Sequence, residues 1–450
     1  MSEPRDRSLR NTKCRVHEET IWSSGRRHTA CERGSRGTFH KLHRGGKVRD
    51  SVNIIGPAIF LLVIVVSVAA SSQPQAWLPG PGGDEKCGEV SVELEAHLNG
   101  ILDSSGEDPI HNAVLLVEGP KLRWRGAAGT ADGQDEAMSV DHSFKIASIA
   151  KTLTATVVLQ LAEEGKLDLD DTLDKFFDSS VVDLDTLHIH NGISYGRRIT
   201  IGQLLSHTSG IRDYMEDPRF IPFVLEHPEQ QWSPKMIFGK YYEWDVNTKA
   251  AFPPGDDFIY ADPNYVLLAM IIEDVTGSKL AEQYRKRIFG PLGMTNSYLE
   301  FYEEPRGSSR LSHAFFGGVD ISTSINTSFD WGGGGVVSTC EELNIFFRAL
   351  LDGKLFTKDA TLNQMLAAAD AGFGGEEYDY GLGVMKRTIE GFTFYGHGGA
   401  YDCDLFYSPK TGISVCTVLN QMNTHGKRDP FLEKAVALAM SAQPASAKNR

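Results

Sequence analysis

Apolar positions at the helical period mark one strongly buried segment in the first half of the chain. Residues 144–166, FKIASIAKTLTATVVLQLAEEGK, carry alanine, valine, leucine and isoleucine on every face, and Gly165 followed by Lys166 is typical of a helix end. A helix that is apolar all round is buried in a protein core. Apart from its ends this helix has one charge, Lys151, and an unpaired buried ammonium is costly. The pattern therefore predicts a partner for Lys151.

Strand-like runs lie on both sides of a helical middle. NAVLLVEG and KLRWRGAAG, joined at Gly119 and Pro120, predict a hairpin, and the amphipathic DPFLEKAVALAMSA predicts a final helix. Four further strands are predicted from the runs YGLGVMKRTI, GFTFYGHGG, YDCDLFYSP and GISVCTVLNQ. The pattern predicts an α/β (α+β) fold, in which helices flank one antiparallel sheet and an all-α lobe is inserted, with the functional site in the cleft between lobes.

These patterns give a division of the whole chain. The predicted units are a basic, disordered tail (1–50), an export signal or membrane anchor (51–72), a Pro/Gly-rich linker (73–88), one domain (89–442) made of an α/β lobe (89–166 and 378–442) and a helical lobe (167–377), and a short tail (443–450).

The segment before the linker determines where the domain is delivered. Residues 54–70 carry no charge, and Arg44, Lys47 and Arg49 precede them, which keeps the N-terminal side cytoplasmic. The small residues at 69–72 suit cleavage, whereas a basic leader of this length is unusual for a signal peptide. A cleaved export signal, an uncleaved single-pass anchor and an upstream start codon that adds non-native residues remain alternatives. All of them predict a periplasmic, extracellular or membrane-anchored domain outside the cytoplasm.

Charge and cysteine content exclude some classes of protein. The chain has a formal net charge of -14 although its first 50 residues are net positive, so the acidic domain argues against nucleic acid as a partner. Six cysteines without a Cys-x-x-Cys pair argue against structural zinc. Cys403 and Cys416 flank the turn SPKTG and could face one another across a hairpin. A disulfide is permitted there in an exported protein, but two small core residues are the favoured interpretation.

Ser148 gives the buried lysine a chemical interpretation. It precedes Lys151 by three residues, so both side chains lie on one helical face, one turn apart. A Ser-x-x-Lys unit is typical of a nucleophile beside the amine that activates it. Such a tetrad also arises by chance about once or twice in a chain of this composition, so the assignment depends on the rest of the sequence.

Six motifs in register resemble one family over roughly residues 90–440. They are SIAKT (148–152), LLSHTSGI (204–211), YADPNYVLLAMIIEDVTG (260–277), PLGMTNS (291–297), GGGVVST (333–339) and GHGGAYD (396–402). The chain resembles the serine β-lactamases and penicillin-binding hydrolases, specifically the class C branch with D,D-carboxypeptidases, D-aminopeptidases and esterases. The resemblance implies a β-lactamase/transpeptidase-like fold and acyl transfer without a metal or organic cofactor.

The resemblance also implies a nucleophile, a proton carrier and an oxyanion hole. Ser148 would attack a carbonyl and form an acyl-enzyme, and Tyr260, working with Lys151, would pass the serine proton to the leaving group. The backbone N–H groups of Ser148 and Ala400, the latter on the edge strand of the sheet, would bind the oxyanion.

The resemblance assigns supporting roles to the residues around this centre. His397 would position the substrate and polarise the site, and Gly398 and Gly399 would let the backbone approach the substrate. His207, in SHTSG, is interpreted as part of a loop that supports the site without being catalytic. The run WGGGG is interpreted as close backbone packing near the cleft, because no Gly-Lys-Ser/Thr follows it.

Two departures from the family pattern bear on the substrate. Asp262 stands where relatives usually carry asparagine, which removes an amide donor and puts efficient β-lactam hydrolysis in doubt. An ionised Asp262 would also favour the charged form of Lys151 and move the general-base role toward Tyr260. Asp402 and Asp404, if they line the cleft, favour a cationic or amine-bearing substrate; the alternative is that they are solvated charges on an edge strand.

The sequence therefore predicts an exported serine hydrolase. Its expected substrate is a small molecule or peptide with an amide or ester bond, and a D-amino-acid peptidase, a carboxypeptidase-like enzyme or an esterase is favoured over a dedicated β-lactamase. The alternative is a catalytically inactive scaffold or ligand-binding protein that kept the fold.

Overall fold

The computed structural model describes residues 85–443, apart from residues 104, 106–107, 376–377 and 425. The predicted basic tail, the export or anchor segment and most of the linker lie outside the described residues, as do residues 444–450 of the C-terminal tail. Among the helices of the described ranges, none has the length and apolar character needed to cross a membrane.

Fourteen strands lie in the described ranges. They are β1 (Asn112–Glu118), β2 (Arg123–Gly129), β3 (Phe144–Lys145), β4 (Ile189–His190), β5 (Ile193–Ser194), β6 (Tyr298–Leu299), β7 (Phe315–Phe316), β8 (Val319–Asp320), β9 (Val336–Ser338), β10 (Asp379–Tyr380), β11 (Met385–Ile389), β12 (Phe392–Gly399), β13 (Cys403–Ser408) and β14 (Ile413–Val418). The main sheet has seven strands in the order β10-β11-β12-β13-β14-β1-β2, all antiparallel.

Thirteen α-helices accompany them in the same ranges. They are α1 (Glu85–Asn99), α2 (Ala150–Glu163), α3 (Ile201–Leu205), α4 (Phe220–Glu226), α5 (Pro234–Glu243), α6 (Pro263–Thr276), α7 (Leu280–Tyr284), α8 (Gly290–Leu292), α9 (Ile321–Ser324), α10 (Trp331–Gly334), α11 (Cys340–Leu351), α12 (Asp359–Ala367) and α13 (Arg428–Ser441). Helices α3 to α12 come from the segment 167–377, which was predicted to be an all-α lobe; the same segment also contains the short strands β4 to β9, so it is not entirely helical.

The main sheet separates two hydrophobic cores because successive strand residues point to opposite faces. Val114 and Leu116 of β1 pack into the core that contains α2 and α11, whereas Leu115 and Val117 pack into the core that contains α1 and α13. Both faces are covered, which explains why the central strands β1, β13 and β14 are buried along nearly their whole length. The predicted fold, an antiparallel sheet flanked by helices, is confirmed.

Strand pairing corrects two expectations about the C-terminal strands. Strand β12, which ends just before Ala400, is not an edge strand, because β11 and β13 pair with its two sides. Cys403 pairs with Val418, and Cys416 pairs with Leu405, so the two cysteines do not face one another; both are fully buried free thiols, as in the favoured interpretation of two small core residues. The sulfur nearest to Cys416 Sγ is that of Cys340 at the start of α11, 3.0 Å away, and the described cysteines are all free.

Candidate active site

Ser148 lies in a strained turn at the beginning of α2. A 3-10 turn over Ala147–Ile149 leads directly into the helix, and Ala147 has a φ of 45°. A positive φ is costly for a residue with a Cβ atom, and such strain concentrates at functional sites. The turn leaves Ser148 half-buried while its neighbours Ala147 and Ile149 are buried. The serine is thus presented at the N-terminal end of a core helix, where a developing negative charge is favoured.

Lys151 has the partners that its burial requires. Its side chain is 0% exposed, and Nζ donates hydrogen bonds to Ser148 Oγ at 3.1 Å, to the Gly333 carbonyl at 2.9 Å and to Asp262 Oδ1. An ammonium group has three N–H donors, and these three acceptors satisfy all of them. Nζ also lies 4.9 Å from the ring centroid of Tyr260. The geometry therefore fits a charged lysine that touches the candidate nucleophile.

The backbone of Asp262 is bound by another acid, Asp213, which is buried. Asp262 is the residue before α6, its side chain is 19% exposed, and its backbone N–H donates to Asp213 Oδ2 at 2.9 Å. Burial, and next the charge of Asp262, raise the pKa of the Asp213 carboxyl well above its ordinary value. Asp262 thus contacts Lys151 through its carboxylate, and Asp213 contacts Asp262 through the Asp262 backbone N–H.

Tyr260 contributes a neutral phenol to the same centre. Its hydroxyl is buried and makes no hydrogen bond of normal geometry to the described residues. Burial, and next the charge of Asp262, raise the pKa of Tyr260 well above its ordinary value, while an interaction with the Ser148 side chain opposes them. A resting phenolate is therefore strongly disfavoured.

His397 is fully buried, and both of its ring nitrogens make hydrogen bonds. Nδ1 lies 2.7 Å from the Gly398 carbonyl, which can only accept, so Nδ1 carries the proton. Nε2 then accepts from the Tyr380 hydroxyl at 3.0 Å. Burial, and next the charge of Lys151, lower the pKa of His397 to about 3. The ring is therefore neutral and fully buried, and its expected role toward a substrate stays a prediction.

The glycines after His397 bring β12 against protein atoms. A Cβ atom on Gly398 would lie 1.8 Å from Arg428 Nη2, and one on Gly399 would lie 2.3 Å from the carbonyl oxygen of Ile146. These glycines thus allow a close approach to protein atoms, and the expected approach of the backbone to a substrate stays a prediction. Gly399 brings the end of β12 against the residue two positions before Ser148, and Ala400 follows as an exposed residue.

The acids that follow this element do not line the cleft. Asp404 is buried and accepts from Arg428 Nε at 2.9 Å and Nη2 at 2.6 Å. Asp402 is buried as well, and its Oδ2 accepts from the Thr424 backbone N–H at 2.9 Å. Both expectations for these acids, a cleft lining and a solvated edge strand, are wrong because Arg428 pairs with the two carboxylates inside the fold.

The glycine-rich segment around α10 takes part in the site more directly than the sequence indicated. Gly333 supplies a carbonyl to Lys151, and a Cβ atom on Gly332 would lie 2.5 Å from Ala269 Cβ. Close packing was expected from WGGGG, but the carbonyl contact was not. Asp330, just before this run, was also missed; burial, and next the charge of Asp262, raise its pKa to about 7.

Among the described residues, no group of three or more His, Cys, Asp and Glu side chains could hold a metal ion. The polar groups brought together are instead a hydroxyl, an ammonium, a carboxylate and a phenol. These are the groups of acyl transfer by a serine nucleophile with proton relay.

The antiparallel sheet with flanking helices and a Ser-x-x-Lys turn packed against the end of β12 defines a protein of the β-lactamase/transpeptidase fold. A family model described as Beta-lactamase matches residues 112–438. The chain belongs to the β-lactamase family.

Three proteins that are similar to this chain come from the β-lactamase-like hydrolases and penicillin-binding proteins. Penicillin-binding protein 4* of Bacillus subtilis is 26% identical over 331 residues, which are 68% of this chain and 66% of that protein. A D-aminopeptidase of Cereibacter sphaeroides is 25% identical over 243 residues, 53% of this chain and 45% of that protein. The crystal structure of a D-stereospecific amidohydrolase from Streptomyces sp. has a TM-score of 0.60 and 31% identity over 73% of this chain and 94% of that one.

The names of the last two proteins are those of hydrolases. The chain spans about half to two thirds of the length of the two curated relatives.

Proposed function

We propose that this protein is a serine hydrolase that forms an acyl-enzyme on Ser148 and cleaves an amide or ester bond. The observation that carries the proposal is the 3.1 Å contact between Ser148 Oγ and the buried Lys151 Nζ. Burying an ammonium group costs free energy, which favours a functional role for Lys151. Asp262 and the Gly333 carbonyl accept two of its N–H groups and so orient the third toward Ser148.

The electrostatics favour a proton relay in which Tyr260 stays neutral. As Ser148 Oγ attacks the carbonyl carbon, its proton moves to Tyr260 Oη, and the phenol passes its own proton to the departing nitrogen or oxygen. Lys151 remains an ammonium and stabilises the oxygen that loses the proton. The raised pKa of Tyr260 supports a concerted transfer over a resting phenolate that acts as base.

The negative oxygen of the intermediate needs two N–H donors beside Ser148. The Ser148 N–H lies at the start of α2, and the Ala400 N–H follows the glycine that packs against Ile146. Both belong to backbone fixed by core packing, so the donors would be in place before the reaction starts. We assign the oxyanion hole to these two groups.

The substrate class follows from the relatives and from Asp262. Two relatives carry names of D-specific peptide or amide hydrolysis, which supports a D-amino-acid amide or peptide and, next to it, an ester. Asp262 Oδ1 is engaged by Lys151 and offers no amide donor, which disfavours a dedicated β-lactamase. Assaying D-aminoacyl amides, short-chain esters and a chromogenic cephalosporin side by side would rank these substrates, and the cephalosporin is expected to be the poorest.

Covalent labelling tests the proposal. A fluorophosphonate probe should label the wild-type protein, Ser148→Ala should remove the label, and Ser180→Ala, which changes an exposed serine, should leave it unchanged. No adduct on the folded wild-type protein would refute the hydrolase and favour the inactive scaffold. The fully satisfied buried Lys151 beside Ser148 argues against that scaffold.

We also infer that the domain acts outside the cytoplasm, on the side to which the uncharged segment 54–70 would deliver it. A relative named as a penicillin-binding protein supports this location. N-terminal sequencing of the mature protein tests it, since cleavage near residues 69–72 is expected for a signal, and an intact basic tail with a membrane-bound protein is expected for an anchor.

A further inference from the structure

His207 is a buried histidine in an unusual backbone conformation against the candidate proton carrier. Its side chain is fully buried and its φ is 57°. The imidazole stacks on the ring of Tyr260, with centroids 4.2 Å apart and planes 29° apart. Stacked rings at this distance exclude water from one face of the phenol and fix its plane.

The same residue fastens the backbone on both sides of Tyr260. The His207 carbonyl accepts a hydrogen bond from the Ile259 N–H at 3.0 Å, and Nδ1 accepts one from the Ala261 N–H at 3.1 Å. Nδ1 also accepts from Asn264 Nδ2 at 3.0 Å, at the beginning of α6. His207 therefore contacts Ile259 through its backbone carbonyl, and it contacts the ring of Tyr260 and the backbone of Ala261 through its imidazole.

The donors around Nδ1 determine the protonation state of the imidazole. Because Nδ1 accepts from two N–H groups, the ring proton must be on Nε2, and Nε2 makes no hydrogen bond to the described residues. Burial, and next the charge of Lys151, lower the pKa of His207 well below its ordinary value. The ring thus remains a neutral acceptor, and the titratable groups that face it are Lys151, His397, Tyr260, Tyr265 and Tyr380.

We propose that His207 is a positioning residue, which holds the Tyr260 phenol in the orientation needed to take the proton of Ser148. The inference rests on the proposed hydrolase function. His207 does not touch the reacting atoms; it acts through the ring and the flanking peptide groups of Tyr260. A displacement of about 1 Å of a reacting group can cost roughly 100-fold in rate, so losing this support should appear in kcat.

Two substitutions separate the ring contact from the hydrogen bonds. His207→Asn keeps an acceptor at the position of Nδ1 and tolerates the positive φ, but it removes the stacked ring. His207→Phe keeps a ring and leaves the buried Ala261 N–H without an acceptor. His227 provides the matched control, because it is exposed and stacks on Phe223 at 4.1 Å, so His227→Asn removes a similar stack elsewhere.

We expect His207→Asn to lower kcat roughly 10- to 100-fold while KM changes less than about threefold. Water admitted to the phenol should bring the pKa of Tyr260 down, so the alkaline limb of the pH-rate profile should move to lower pH. His207→Phe should lower both kcat and the melting temperature, and His227→Asn should behave like the wild type. Circular dichroism melting would verify that the His207→Asn protein is folded.

The outcomes distinguish this proposal from the function on which it rests. If the wild-type protein fails to label on Ser148, the hydrolase proposal fails. If the wild type labels and folded His207→Asn has the same kcat and the same pH profile, the positioning role is overturned. The positioning role is also overturned if kcat falls only in proportion to the fraction of the His207→Asn protein that is unfolded and the pH-rate profile does not move.

Discussion

At the scale of single residues, the site depends on how one buried charge is neutralised. Lys151 is surrounded by Ser148, Asp262 and the Gly333 carbonyl, so the ammonium form is stabilised where a neutral amine would leave acceptors unsatisfied. In the proposed mechanism, such an ammonium would stabilise the serine oxygen and leave proton transfer to Tyr260. Under that proposal, the departure at Asp262 changes which group moves the proton.

Replacing Asp262 by asparagine tests this division of roles. Asp262→Asn keeps an acceptor for Lys151 but removes the charge that stabilises the ammonium. We expect the alkaline limb of the pH-rate profile to move to lower pH, because the neighbouring carboxylate no longer favours the ammonium form of Lys151. Asp257→Asn, an exposed acid in the preceding loop, is the control. Movement of the acidic limb instead would indicate that Lys151 acts as a neutral base.

Asp330 gives a prediction about stability and pH. Burial raises its pKa to about 7, so between about pH 4 and pH 7 the native state binds more protons than the unfolded state. The contribution of Asp330 to the free energy of unfolding is fully present below the pKa that this residue has in the unfolded chain. It is lost as the pH rises toward 7, by at most about 1.4 kcal/mol per pH unit. Asp330→Asn should therefore gain stability relative to the wild type between pH 5 and pH 8 in urea unfolding. For the control Asp257→Asn, we expect the difference in stability from the wild type to stay constant over this pH range. The same constancy for Asp330→Asn would contradict the prediction.

At the scale of elements, the site depends on the contact between the end of β12 and the turn before α2. Gly399 permits this contact because a Cβ atom would lie 2.3 Å from a backbone oxygen, which cannot rotate away as a side chain can. The six motifs of the sequence predicted that this element belongs to the site. They did not predict the reason for the glycines, because the sequence does not show which atoms fill the space above them.

Gly399→Ala should separate β12 from the serine turn. We expect it to lower the free energy of unfolding by about 1–3 kcal/mol and to reduce fluorophosphonate labelling, since Ala400 moves with the strand. Gly239→Ala is the matched control: its Cβ atom meets nothing within 4 Å in α5, and alanine there should be neutral or slightly stabilising. A Gly399→Ala protein with wild-type labelling would contradict the placement of Ala400 at the oxyanion.

The long strands and helices at the two ends of the domain were predictable, whereas the individual elements of 167–377 were not. Periodicity gave the buried helix α2, the β1–β2 hairpin and the last four long strands, because each is decided by local apolar spacing. The short strands β6 and β9 were not predicted. They pair with each other and, through β9, with β3, and a pair of two- or three-residue strands leaves almost no periodic pattern.

At the scale of the whole molecule, a seven-stranded sheet between two cores fixes the serine turn, while the segment that carries Tyr260 and Asp262 comes from the helical region between its strands. The site is assembled from stretches more than 100 residues apart, such as Lys151 and Asp262. This arrangement makes the site sensitive to changes in either part.

The sequence by itself determined the family, the class of fold and the pairing of Ser148 with Lys151, since each depends on local spacing or on motifs in order along the chain. The tertiary structure alone decided the surroundings of these residues. It paired Asp402 and Asp404 with Arg428, buried His397 against Tyr380 and stacked His207 on Tyr260. The physical reason is that burial and charge neutralisation depend on which distant side chains meet, and spacing along the chain does not encode those meetings.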